Sequence, residues 1–191
     1  MWYFTWILGL LLACSLGIIN VLRLEAQETW DRELIPLDPL THLMTRDTML
    51  VRLKEKVENS RRNGFPFSVL TVNLNSFSDK NQLQDYEIDA TLRGVVDYLK
   101  EEIRAGVDLA ARMDKQTVLI ALPGSPLKKA EDTAARFKQD ILAKVKAPRN
   151  LTVDVVVGTA QYFMDYAAVT TVEQEVENLL RLACGKTHDA S

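Results

Sequence analysis

The chain opens on an apolar run. No charged side chain precedes Arg23, and positions 1–22 read MWYFTWILGLLLACSLGIINVL. At about 1.5 Å per residue that run makes roughly 33 Å of helix, against a bilayer hydrocarbon core of about 30 Å. The pattern predicts one transmembrane helix over residues 1–24. A cleavable signal peptide needs a positive start and a shorter apolar stretch, and this run has neither. Trp2, Tyr3 and Trp6 read as an aromatic belt at one interface, and Arg23 closes the other end. Positive charge favours the cytoplasmic side, so the N-terminus is expected outside and the remainder inside. Gly9, Ala13 and Gly17 recur every four residues, with Asn20 near the same face. Such a stripe of small residues predicts close packing against another membrane helix.

Residues 25–37 form a short juxtamembrane link interrupted by Pro36. From Asp38 to Ser191 the pattern alternates. Asp47 is expected to cap a helix with Met49, Leu50, Leu53 and Val57 on its apolar face, ending at Gly64. Phe67 to Leu74 reads as a buried strand. Ile88, Leu92, Val95, Val96, Leu99 and Ile103 form one stripe of period 3.6. Asp108–Met113 and Gln116–Leu122 read as strands joined by the two-residue turn Asp114-Lys115. Ser125 then caps a helix with Pro126 at its first position and Ala130, Ala134, Phe137, Ile141 and Val145 inward. Leu151 to Ala160 is a strand. Thr171 and Gln174 make a capping box for a last helix that buries Val172, Val176, Leu179 and Ala183. The order α-β-α-β-β-α-β-α predicts an α+β domain, a central mixed or antiparallel sheet flanked by helices.

Composition changes little. The 191 residues carry net charge −3, which gives no electrostatic footprint for nucleic acid. Cys14 lies in the apolar run and Cys184 near the C-terminus, so two free thiols are expected. His42 and His188 stand in no metal-ligand spacing.

Met1 to Phe4, Trp6 to Gly9, Leu12 to Ser15, Gly17, Leu24 and Glu25 follow the pattern of a known family. The run resembles the small single-helix subunit of cytochrome bd quinol oxidase, the CydX/YbgT type. The resemblance implies an accessory subunit of the respiratory chain in the bacterial inner membrane. It would pack on the large subunits, stabilising them and the haem b and haem d they hold, and would bind no cofactor itself. Members of that type are little more than this helix, so the long extension departs from the pattern.

The body has its own resemblance. Asp38-Pro39-Leu40-Thr41 with Leu43 and Arg46, Asn73-Leu74-Asn75-Ser76-Phe77, Asp108 with Arg112, and Val157-Gly158-Thr159-Ala160 occur in order. Together they resemble the GGDEF diguanylate cyclase domain. That family joins two GTP molecules with two metal ions, and hard Mg²⁺ asks for carboxylate oxygens. On the family's motif, the first metal Asp falls on Asn73. The signature reads Asp114-Lys115-Gln116-Thr117-Val118, which places its catalytic acid on Thr117 and its two glycines on Asp114 and Lys115. The guanine-reading Asn persists as Asn81, its partner Asp falls on Ala90, and the phosphate Lys falls on Cys184. The product-inhibition pair keeps Asp108, with its Arg on Ala105 and Arg104 one residue off. These departures lead to the expectation of a lost cyclase motif, no catalytic or metal residues and no enzyme. Asp38, Phe77, Asp108 and Arg112 are expected to serve caps, core packing and salt bridges.

The expected function is therefore an oxidase accessory subunit carrying a GGDEF-like cytoplasmic domain of structural or protein-interaction role, with a cytoplasmic protein as a further partner. The alternative is a membrane-anchored sensor of GTP or cyclic-di-GMP.

Overall fold

The computed structural model describes residues 3, 6–7, 9–10, 13–22, 36–76, 85–145, 154–162 and 171–188. The chain divides into two compact units, Met1–Pro36 and Leu37–Ser191.

In the first unit the described residues up to position 22 are helical, continuously so over 13–22 (α1). Among the described residues no helix is long and apolar enough to cross a membrane. Gly9, Ala13, Gly17 and Asn20 are exposed in this chain, and a Cβ added at Gly9 or Gly17 meets nothing within 4 Å. Tyr3 and Trp6 are exposed as well. Trp2 and Arg23 lie outside the described residues.

The second unit runs α2 (Arg46–Asn63), β1 (Phe67–Ser76), α3 (Asp85–Glu102), β2 (Leu109–Arg112), β3 (Thr117–Pro123), α4 (Leu127–Lys144), β4 (Asp154–Tyr162) and α5 (Val172–His188). The strand order is β2-β3-β1-β4, and every pairing among these four strands is antiparallel, so the sheet is the antiparallel one of the two alternatives. Alternation along β1 builds two cores. Leu70, Val72 and Leu74 join Leu92, Val95, Val96 and Leu99 of α3 and Phe137 and Ile141 of α4. Phe67 and Val69 join Met49, Leu53 and Val57 of α2 and Val176, Leu179 and Ala183 of α5. The sheet thus lies between two helix layers.

Local chemistry moves several expected boundaries. The N-cap of α2 is Thr45; Asp47 sits in the first turn, where its charge complements the helix dipole. Gly64 ends α2 at φ 66°, as expected. The β2–β3 hairpin is wider than a two-residue turn. Asp114 Oδ1 accepts from the amides of Gln116 and Thr117, both at 2.8 Å, and this side-chain capping displaces ladder bonds. Ser125 does not cap α4. It is buried, its carbonyl accepts from Ser68 Oγ at 2.7 Å, and Pro126 is the N-cap. The first helical amide, Leu127, instead donates to Gln161 Oε1 of β4 at 2.7 Å. The Thr171–Gln174 capping box forms in both directions. Leu151 to Val153 of the expected last strand fall outside the described residues. Cys14 and Cys184 are joined in no disulfide.

Candidate functional site

The hairpin rim gathers most of the singled-out residues. Asn73 near the end of β1 pairs directly across the ladder with Thr117 at the start of β3. Thr117 is buried, and its amide is held by Asp114 at the turn. The thiol of Cys184, an exposed residue of α5, is pushed up, first by desolvation and then by the Asp114 charge. Asn73, Asp114, Lys115 and Thr117 lie at one end of the sheet. Ala90 stands exposed on α3. Asn81 and Phe77 lie outside the described residues.

A turn over residues 38–44 braces this rim. Asp38 Oδ2 accepts from the Leu40 amide, the Thr41 amide and Thr41 Oγ1, while Thr41 Oγ1 accepts from the Leu43 amide. The turn then joins the edge of β2, with Met44 N donating to Ala110 O and Arg112 N to Met44 O. Arg112 binds both parts. Its guanidinium meets Asp38 at 3.3 Å and donates to the Asp114 carbonyl at 3.0 Å. Burial pushes the Asp38 carboxyl up, but the Thr41 bonds and the Arg112 charge outweigh it and hold it below the ordinary carboxylate value. Asp38, Thr45, Arg46, Arg112, Met113, Asp114 and Lys115 line a cavity of about 360 Å³. The expected bland roles of Asp38 and Arg112 as cap and salt bridge are realised. Sequence spacing missed Asp89 of α3, which sits 3.6 Å from Arg112. The only signal was its place one turn before the exposed Arg93.

The second acid also has a partner. Arg104 sits one position from the expected register, yet its Nε and Nη2 both donate to Asp108, and its amide does so at 2.8 Å. Nη2 also donates to the Pro123 carbonyl at 3.1 Å. The side chain of Asp108 is almost fully buried in this clamp.

The fold family implies two metal ions at the rim. Asn73 Oδ1 is buried with no hydrogen-bond partner among the described residues, so it is the atom there with spare acceptor capacity. It is a neutral amide oxygen, suited to an N–H, O–H or water donor more than to Mg²⁺. Among the described residues no group of three His, Cys, Asp or Glu side chains could hold a metal.

Comparison with known proteins separates the two parts. Residues 1–27 match the family of membrane bound YbgT-like proteins. Over 29 residues the chain is 66% identical to cytochrome bd-I ubiquinol oxidase subunit X of Escherichia coli strain K12, covering 15% of this chain and 78% of that protein. Residues 35–187 match the diguanylate cyclase GGDEF domain family. Among solved structures, the diguanylate cyclase SiaD of Pseudomonas aeruginosa, in complex with its activator SiaC, is similar with TM-score 0.72 and 21% identity, over 98% of this chain and 71% of that one. The FimX GGDEF domain from the same organism gives 0.66 and 17%, over 81% and 92%. At these identities the structures speak for the fold. The family match corrects one expectation: a lost motif and no enzyme do not stand as a reading of a chain whose body is of a diguanylate cyclase family. Single-position departures from a motif do not remove a chain from a family of enzymes. The chain belongs to the diguanylate cyclase GGDEF domain family, and carries ahead of that domain a segment of the membrane bound YbgT-like type.

Proposed function

We propose that the chain joins a cytochrome bd-type quinol oxidase through its N-terminal segment and carries a GGDEF-family domain on the cytoplasmic side of the membrane. The segment spans the inner membrane once with its N-terminus outside, packs on the large subunits that hold haem b and haem d, and stabilises them. The observation that carries this reading is the 66% identity to an oxidase subunit over most of that subunit's length. The exposed Gly9, Ala13, Gly17 and Asn20 support it, because the space above both glycines is open within this chain. Purification of the tagged full chain from its native membrane tests it: haem b and haem d absorbance should co-purify.

A second reading, nucleotide binding by the body, is favoured by the cavity in which Arg46, Arg112 and Lys115 meet at the hairpin. Calorimetry of the full chain with GTP and with cyclic-di-GMP tests it. A GTP-turnover assay on the same sample reads cyclase activity directly.

A further inference from the structure

We propose that the turn between α2 and β1 is a docking surface for anionic phospholipid headgroups, with the Phe65 ring entering the interface. This rests on the membrane reading given above. Phe65 is among the most exposed large apolar side chains of the second unit, at 64%. A single exposed ring is ordinary on its own. Here its backbone is fixed on both sides. Gly64 turns the chain at φ 66°, the Ser60 hydroxyl donates to the Phe65 carbonyl, and the Gly124 amide donates to the Pro66 carbonyl at 2.8 Å. The ring is therefore held outward rather than left loose.

Its surroundings are cationic. The chain carries net charge −3, yet α2 has six basic and three acidic side chains, with Arg61 and Arg62 in its last turn. Arg62 is paired with Glu58, whereas Lys56 and Arg61 form no ion pair among the described residues. Lys56, Asn59 and Ser60 line a cavity of about 230 Å³ together with Phe65, Phe67 and Pro123. Cations and amide donors beside an exposed aromatic ring suit a phosphodiester headgroup with its glycerol edge.

The test uses the full chain in nanodiscs, with Cys14→Ser, Cys184→Ser and an environment-sensitive dye on Asn63→Cys. Phosphatidylcholine discs are compared with discs containing phosphatidylglycerol. The proposal expects a blue-shifted emission in the anionic discs alone. High salt should abolish the shift, as should the triple change Lys56→Glu, Arg61→Glu, Arg62→Glu, and Phe65→Ser should weaken it. Equal emission in both discs overturns the docking, and so does a shift that survives charge reversal. Alkaline carbonate extraction of the same chain separates the two ideas. A chain retained by the membrane but indifferent to lipid charge refutes only the docking, while a chain washed free refutes the membrane reading and the docking with it.

Discussion

Gly158 of β4 lies directly beneath the carbonyl of Ala183 in α5, so closely that a methyl group there would overlap it. The same methyl would lie 2.8 Å from Thr71 Oγ1, which donates to that carbonyl at 3.0 Å. The last helix is thus seated on the sheet by one missing side chain and one hydroxyl. Gly158→Ala should destabilise the body by about 3 kcal/mol through forced overpacking. Thr71→Val should cost about 1–2 kcal/mol, because it leaves the carbonyl short of a donor. Urea midpoints of both variants check the ranking.

The Asp38–Arg112 pair gives the body an acid-sensitive brace. Its folded carboxyl value lies below the ordinary 3.8. A depressed carboxylate contributes stability above its unfolded value and loses it as pH falls through the folded one. Asp38→Asn should therefore cost about 1–3 kcal/mol near neutrality. The gap between variant and parent should narrow as pH falls below the ordinary carboxylate value of 3.8 and through the lower folded one. Unfolding curves across that range measure it.

The thiol of Cys184, an exposed residue, should alkylate more slowly than an ordinary cysteine at mildly alkaline pH, because local desolvation and the Asp114 charge both raise it. Asp114→Asn in a Cys14→Ser background should speed the reaction a few-fold. No change would mean that the Asp114 charge does not act on the thiol in solution.

Much of the body was legible from its pattern. The stripe of α3, the capping box of α5 and the Gly64 stop are local signals, and each forms as the spacing indicates. The errors came from partners distant in sequence. Gln161 of β4 caps α4 in place of Ser125, and Asp114 reshapes the hairpin with its own side chain. Asp89 reaches Arg112 only once α3 is laid across the sheet. The expectation of a lost cyclase motif is overturned by the match of residues 35–187 to the diguanylate cyclase GGDEF domain family, which holds despite the departures at Asn73, Thr117 and Cys184.

The stripe on the N-terminal segment makes its own prediction. A Cβ added at Gly9 or Gly17 meets nothing within 4 Å among the described residues, and leucine keeps the segment apolar, so Gly9→Leu and Gly17→Leu should both enter the membrane normally. Both should lower the amount of oxidase recovered with the tagged chain, since bulk on a small-residue face blocks close helix approach. Equal recovery from parent and variants would remove the packing face.

The most direct test of the central claim is a reduced-minus-oxidised spectrum of the full chain purified under mild detergent from its native membrane. The account predicts haem b and haem d bands that rise and fall with the tagged chain through size exclusion. A pure chain free of both haems, from membranes in which the oxidase is plentiful, would contradict it.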